Sequence, residues 1–308
     1  MKQKVSAVIV TMNRQAELIE CIDSLKKSKC KISEIIVVDN GSETPPSTFL
    51  RGKFKGLKII REEKNVGAAA GRNIGILKSK GKYIFFMDDD ATVGKEAICQ
   101  MLDLLKENKR AGIVQPKVYD KDRPELLQGV GHTINLVTGR ARAWGVMKED
   151  KGQYDYDRKI PMTGGICLVK REVIDKIGMF DEDYFIPYED SDFCIRAKKA
   201  GYDIFCSGKA KAWHQGKKTT AVNPRLEWMG ITTPQRAYRI ARNKMIFMKK
   251  HAQTRNLIAF LFLILPFYAA AHSAIILSSF RFDIFISYWS GLVSGFIYCM
   301  TYQKHDKS

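Results

Sequence analysis

Apolar runs and polar punctuation alternate in a fixed order along the first part of the chain. Val5 to Val10 is apolar and β-branched and closes on Thr11-Met12-Asn13-Arg14; Gln15 to Ser28 then spaces Leu18, Ile22 and Leu25 along one helical face. Ile35 to Val38 repeats the strand pattern and ends in Asp39-Asn40-Gly41-Ser42. Leu57 to Ile60 gives a third strand, Gly71 to Lys80 a helix, and Tyr83 to Met87 a fourth strand that empties into Asp88-Asp89-Asp90. Continuous apolar strands alternating with helices predict an α/β fold, a mostly parallel sheet flanked by helices, in which ligands bind beyond the carboxyl ends of the strands. The polar clusters sit at those ends.

The pattern then changes. Leu127 to Tyr156 is rich in Gly, aromatic and charged residues, which predicts a loop-rich excursion or antiparallel hairpin. Met162 to Val169 reads as a strand, Arg171 to Ile177 as a helix, and Gln235 to His251 as a basic helix. Two stretches follow, Leu257 to Leu277 and Ile284 to Tyr302, that contain no Asp, Glu, Lys or Arg. Each is about long enough to cross a hydrocarbon core as a helix. Ser278 to Asp283 joins them too tightly for a domain, so a C-terminal transmembrane helical hairpin is predicted. Lys249, Lys250, Arg255, Lys304 and Lys307 flank it, against Arg281 in the connection, which puts both flanks in the cytosol. Ser287, Ser290, Ser294, Gly291 and Gly295 weaken the second stretch, and a single span or an interfacial hairpin is the alternative. The predicted organisation is an α/β domain over 1–234, a basic amphipathic helix over 235–255, the hairpin over 256–303 and a tail over 304–308.

Charge narrows the ligand class. The formal net charge is +18, almost all of it before Asn256, which favours nucleic acid, anionic lipid or phosphorylated ligands. Nucleic acid is set aside, because no recognised nucleic-acid module is present and acids at the strand ends would repel phosphates without a metal. Arg236, Arg239, Arg242 and Lys244 are candidates for anionic membrane lipid, a solvated basic face being the alternative. The seven cysteines are scattered without a C-x-x-C pair and read as reduced thiols. The N-terminus lacks the pattern of a secretory signal and is expected in the cytosol.

Asp88-Asp89-Asp90 is the candidate chemistry. Side chains alternate along a strand, so Asp88 and Asp90 share one side. Two carboxylates at that spacing suit one hard cation, Mg²⁺ or Mn²⁺, whose remaining ligands come from substrate phosphates. An isolated acidic triplet can equally be a solvated loop or a helix cap. Delivery by an apolar strand, in a basic protein, argues for a compensated site instead.

The motifs VSAVIVTMNR, IIVVDNGS, KNVGAAAGRNIGI, YIFFMDDD, MTGGICLVKREVIDKIGMFDEDYFIPYEDSDFCIRAKKAGY and AWHQ occur in that order across about residues 4 to 251. With them the chain resembles family 2 glycosyltransferases of the GT-A fold. Within that family it is similar to rhamnosyl- and galactofuranosyl-type enzymes of surface polysaccharide assembly. The resemblance implies a nucleotide-binding half over 1–115 and an acceptor-binding half over 116–234. It implies that Thr11, Asn13 and Arg14 form the first nucleotide-binding loop, that Asp39, Asn40 and Ser42 form the base-contacting turn, and that Asn65, Gly67, Arg72 and Asn73 run beneath the diphosphate and ribose. Gly67, Gly71 and Gly75 are not a dinucleotide fingerprint, because the G-x-G-x-x-G spacing is missing.

By the same resemblance Asp88 lies near ribose and metal, Asp90 ligates the metal and His214 completes its site. Asp190 is the expected general base, with Gly164, Gly165, Glu189 and Asp192 on the acceptor side. Glu189 and Asp192 are expected to crowd Asp190; capping acids on the following helix are the plain alternative. The function implied is inverting, metal-dependent transfer of a sugar, with dTDP-rhamnose as the guessed donor, from a nucleotide-diphosphate sugar to a lipid-linked or polymeric glycan acceptor. The enzyme would sit at the cell membrane with its catalytic domain on the cytoplasmic face. A polyprenyl-phosphate sugar synthase and a non-catalytic membrane scaffold are the alternatives.

Overall fold

A computed structural model describes residues 4–215 and 224–302, with only the backbone of Trp228. The chain divides into two compact units, one of Met1–Thr133, Arg142–Phe185 and Glu189–Gly216, the other of Ile134–Ala141, Ile186–Tyr188 and Lys217–Ser308. The strands are β1 (Val5–Thr11), β2 (Ile32–Asn40), β3 (Leu57–Glu62), β4 (Tyr83–Asp88), β5 (Ala91–Val93), β6 (Ala111–Asp120), β7 (Leu127–Gly129), β8 (His132–Ile134), β9 (Ala141–Ala143), β10 (Arg158–Lys159), β11 (Cys167–Lys170) and β12 (Asp203–His214). The helices are α1 (Gln15–Lys26), α2 (Pro46–Leu50), α3 (Gly67–Lys78), α4 (Ala97–Glu107), α5 (Arg171–Ile177), α6 (Glu189–Lys199), α7 (Pro224–Trp228), α8 (Pro234–His251), α9 (Thr254–Ala259), α10 (Leu265–Leu277) and α11 (Phe282–Thr301).

The first unit holds a mixed sheet in the order β10-β12-β6-β11-β4-β1-β2-β3, parallel in its β3-β2-β1-β4 part and largely antiparallel beyond it. β1 runs parallel to β2 and β4, and β2 to β3; β11 is antiparallel to both β4 and β6, while β12 is parallel to β6. Strands covered on both faces must be apolar throughout, and Val5, Ala7, Val8, Ile9, Ile84, Phe85 and Phe86 are all buried. Each such Val, Ile or Phe contributes about 1.5–3 kcal/mol by leaving water. α1 buries Leu18, Cys21, Ile22 and Leu25, the face that its spacing predicts.

α3 lies close on β1 because it is nearly bare there. A Cβ at Gly75 would fall 2.2 Å from Val8 Cγ1, and one at Gly71 would fall 2.7 Å from Val10 Cγ1. The helix begins at Gly67, earlier than the predicted Gly71, since the Asn65 side chain accepts from Gly67 N–H at 2.9 Å and ties down a free end. β11 is shorter than the predicted Met162–Val169 strand. Gly164 and Gly165 interrupt the extended run, and Met162 pairs only with His132.

Cys30 and Cys99 form a disulfide, with Cα atoms 5.3 Å apart. This corrects the expectation of reduced thiols for that pair. The two lie 69 residues apart in sequence and meet only once α4 packs beside the loop after α1, so no local spacing signals them. Cys21, Cys167, Cys194, Cys206 and Cys299 are free and buried.

The excursion predicted between Leu127 and Tyr156 contains β7, which pairs with β6, and the two-stranded ribbon of β8 and β9. Lys117 of β6 fastens it. Its side chain is only 1% exposed, and its Nζ donates to Asp150 Oδ2 at 2.7 Å and pairs with Asp155. Tyr119 OH also bonds Asp150. Burial alone would lower the Lys117 ammonium, but the two carboxylates raise it above its ordinary value. Burial, then Asp150, pushes the Tyr119 phenol up to about 12. Lys117→Met leaves Asp150 without its cation, and removing one partner of a buried pair costs about 3–5 kcal/mol. Chemical denaturation is expected to show a loss of that size, with the excursion the first segment to become protease-sensitive.

The second unit is helical. Thr233 caps α8 by accepting from Arg236 N–H at 3.3 Å, with Pro234 in the first turn. α8 turns Ala237, Ala241, Met245 and Met248 inward, and α11 meets it through glycines; a Cβ at Gly291 would lie 2.3 Å from the Tyr238 carbonyl oxygen. Thr254–Leu277 and Phe282–Thr301 are long and apolar enough to cross a membrane by length and composition. Phe260–Ile264 is a π turn that ends two residues before Pro266, which has no N–H for the α-helical ladder. Phe262, Phe267, Ile286 and Val293 are exposed, unlike the apolar side chains of a soluble core helix.

Candidate active site

The sheet register gathers the polar ends of three strands. Val10 stands opposite Asp88, and Thr11 opposite Asp39. β4 ends at Asp88, and Asp89 and Asp90 form the turn before β5. Asp89 turns to Thr11, whose Oγ1 donates to it at 2.7 Å, and to Arg14 at 3.3 Å. Burial pushes Asp89 up to about 6, with Arg14 and Thr11 limiting the rise. The middle acid therefore ties the loop after β1 to the loop after β4.

Asp88 and Asp90 both approach His214, and Asp90 also pairs with Arg14. His214 Nε2 lies 3.0 Å from Asp90 Oδ1 and 3.9 Å from Asp88 Oδ2. The pairing of His214 with Ala91 across β12 and β5 puts the ring there. Gln128 orients it, with Oε1 at 2.8 Å from Nδ1 and Nε2 donating to the His214 carbonyl at 2.8 Å. Gln128 engages Nδ1, so Nε2 is the ring nitrogen turned to the acids. Asp90 Oδ1 is buried without a hydrogen bond. Two carboxylates and an imidazole meeting at one buried oxygen are a donor set suited to a divalent cation, and Asp88, Asp90 and His214 are the residues that could hold one. As they stand, no group of three or more His, Cys, Asp or Glu side chains among the described residues is arranged to hold a metal ion, so a cation here belongs to the proposed function.

The same charges move the titrations. Burial would raise Asp90, but His214 and then Arg14 hold it below its ordinary value. Burial would lower His214, but Asp90 and Asp88 raise it.

Beside these acids opens a cavity of about 230 Å³, lined by Thr11, Asn13, Arg14, Ser42, Pro46 and Phe49 among others. Asn13, at φ +56°, donates its N–H to Ser42 Oγ at 3.0 Å and accepts from Glu43 N–H at 2.8 Å, which joins the first loop to the second. Asp39 is fully buried; it accepts from Ser42 N–H at 2.9 Å and from Arg61 at 3.0 Å, so it shapes the turn. Asn40 braces Asn65 and the backbone of Val66 and Gly67. Arg61 and Phe49 escaped the sequence reading, since nothing local distinguishes them from surface residues of a strand and a short helix.

Arg72 joins this region to the next. Its buried guanidinium contacts Asp88 at 3.3 Å and Glu189 at 2.9 Å and lies over the Phe180 ring. Burial would lower it, but Glu189 and Asp88 raise it. Gly165 makes room, since a Cβ there would fall 2.5 Å from Arg72 Nη2 and 2.9 Å from Asp88 Oδ1. Arg72, Thr163, Gly164, Gly165 and Asp190 then line one small cavity, which Asp88 approaches through its contacts with Arg72 and Gly165.

Other predicted residues are placed differently. Asn73 anchors Phe180 and Glu182. Asp192 is buried and pairs with Arg196 at 2.8 Å, while Glu189 is turned to Arg72, and burial followed by the Asp190 charge pushes Glu189 up to about 7.

Residues 6–178 match the family described as Glycosyl transferase family 2. The chain is 26% identical over 259 residues to a dTDP-rhamnosyl transferase, RfbF, of Shigella flexneri, covering 82% of each chain. It is 24% identical over 240 residues to an N-acetylglucosaminyl-diphospho-decaprenol L-rhamnosyltransferase of Mycobacterium tuberculosis, covering 70% of this chain and 78% of that one. In three dimensions it resembles GalNAc-T7, whose crystal structure contains UDP, GalNAc and Mn²⁺, with a TM-score of 0.58 at 16% identity. That likeness covers 79% of this chain and spans about half of the other, 51%. It supports the GT-A fold.

Proposed function

The chain belongs to glycosyl transferase family 2, and on that basis we propose that it transfers rhamnose from dTDP-rhamnose to a lipid-linked or polymeric glycan with inversion at the anomeric carbon. The observation that carries the reading is Arg72, whose guanidinium bridges Asp88 and Glu189 and lines one small cavity with Asp190. The names of the two rhamnosyl relatives support the donor and the acceptor class.

Thr11, Asn13, Arg14, Asp39, Asn40 and Ser42 bind and shape the nucleotide side, with Phe49 offering a face for a base. Asn65, Gly67 and Asn73 hold the backbone of that side in place, and Arg72 meets the diphosphate. Asp88, Asp90 and His214 would hold Mg²⁺ or Mn²⁺, which supplies charge neutralisation for the departing diphosphate; GalNAc-T7 was crystallised with Mn²⁺. Across the cleft Asp190 removes the proton of the acceptor hydroxyl as the new bond forms. Gly164, with open space where a side chain would stand, lets the acceptor approach, while Gly165 makes room for Arg72 and Asp88 beside it. The apolar helices and basic α8 anchor the enzyme in the membrane with the catalytic unit on the cytoplasmic face.

A thermal-shift panel of nucleotide sugars, with and without Mn²⁺, tests the reading. dTDP-rhamnose is expected to raise the melting temperature only with the cation present. Stabilisation by another nucleotide sugar would replace the donor, and stabilisation independent of cation would remove the metal.

A further inference from the structure

The proposed reaction asks Asp190 to present one oxygen to the acceptor in a fixed direction, yet Asp190 is partly exposed and sits in the first turn of α6. Among the described residues, the hydrogen bonds to its carboxylate all fall on Oδ1. Ser191 supplies both, from N–H at 2.7 Å and from Oγ at 3.3 Å. Ser191 is itself buried, and on its far side lies His132 Nε2, 2.9 Å from Oγ.

His132 comes from a distant part of the chain. Its N–H donates to the Met162 carbonyl at 3.1 Å in an isolated bridge, two residues before the Gly164-Gly165 wall. The bridge thus fixes the imidazole against the same segment that borders Asp190.

We propose that His132 and Ser191 are positioning residues for Asp190, forming a chain in which the imidazole donates to the hydroxyl and the hydroxyl donates to Oδ1. The inference rests on the reading of Asp190 as the base. A serine hydroxyl has one proton. Spent on Asp190, it leaves an oxygen lone pair facing His132, so Nε2 must carry the ring proton. Burial lowers the imidazole, against the opposing pull of Asp190, which keeps it neutral with one N–H to give. With Oδ1 held from two directions the carboxylate cannot rotate, and Oδ2 is left to face the acceptor hydroxyl. A base misplaced by an ångström can cost on the order of 100-fold in rate.

The test uses the full-length, detergent-solubilised enzyme with Mn²⁺, dTDP-rhamnose and a decaprenyl-diphosphate-linked N-acetylglucosamine as probes. Ser191→Ala and His132→Ala are expected to lower kcat about 10- to 100-fold with donor KM unchanged. Ser191→Thr, which keeps the hydroxyl, and His132→Gln, whose amide N–H can replace Nε2–H, should recover most of it. Adding Ser191→Ala to Asp190→Asn should cost nothing more. Full kcat in both alanine variants, equal loss in KM, or additivity with Asp190→Asn would overturn the chain. Wild-type transfer by Asp190→Asn would instead overturn Asp190 as the base. Isotope-labelled histidine NMR gives a readout that needs no substrate. His132 should show the Nε2–H tautomer, and Ser191→Ala should shift its resonance; an unmoved resonance also refutes the proposal.

Discussion

Asp190→Asn is expected to reduce the turnover of sugar transfer by about 10²- to 10⁴-fold, the usual contribution of a positioned general base. The substitution is nearly isosteric and keeps an Oδ1 able to accept from Ser191, so the first turn of α6 should survive. The proton-accepting oxygen is what disappears. Donor affinity should be unchanged, since none of the hydrogen bonds to Asp190 comes from the loops that line the nucleotide-side cavity. Steady-state kinetics at saturating acceptor, with isothermal titration of the donor, separate the two quantities. Retained turnover would mean that the nucleophile arrives already ionised, as a phosphate does.

The second large effect is expected from Asp90→Ala. This removes the buried oxygen beside His214 and a partner of Arg14 in one change. Cation-dependent stabilisation by the donor should vanish, and transfer should fall at least about 100-fold, the scale on which loss of preorganised charge stabilisation is felt. Arg14 would then have only Asp89, at 3.3 Å. The circular dichroism of the variant should match the parent, because Asp89, not Asp90, bonds Thr11. A variant that keeps Mn²⁺-dependent donor binding would show that the cation is held elsewhere.

The parts of this architecture that sequence made legible are those set by local periodicity. The apolar runs of β1, β2 and β4 and the spacing in α1 each depend on which faces must be dry, and α5 spans the predicted Arg171–Ile177. α4 carries an equally clear stripe of Ile98, Met101, Leu102 and Leu105, and the β6 run beside it is apolar at Ile113, Val114 and Val118, so both are also legible from local pattern. Site residues were recognisable by type but not by partner. Asp39, Asn73 and Asp192 are polar at the right places, yet their contacts are Arg61, Phe180 with Glu182, and Arg196. Gln128 and His132 lie in an excursion with no periodicity, and their partners His214 and Ser191 stand 86 and 59 residues away. Such pairs exist only after β5, β6 and β12 have set the frame.

The glycines of α11 have a practical consequence for anyone handling the protein. Because the Tyr238 backbone fills the space above Gly291 and Met245 that above Gly295, α8 and α11 are pressed together like two halves of a clasp. Shortening the chain just before Phe282 to improve solubility would strip the cover from Ala237, Ala241 and Met245 and expose a sticky face in place of a greasy one. The C-terminal helices are therefore better kept whole and shielded by detergent than trimmed one at a time.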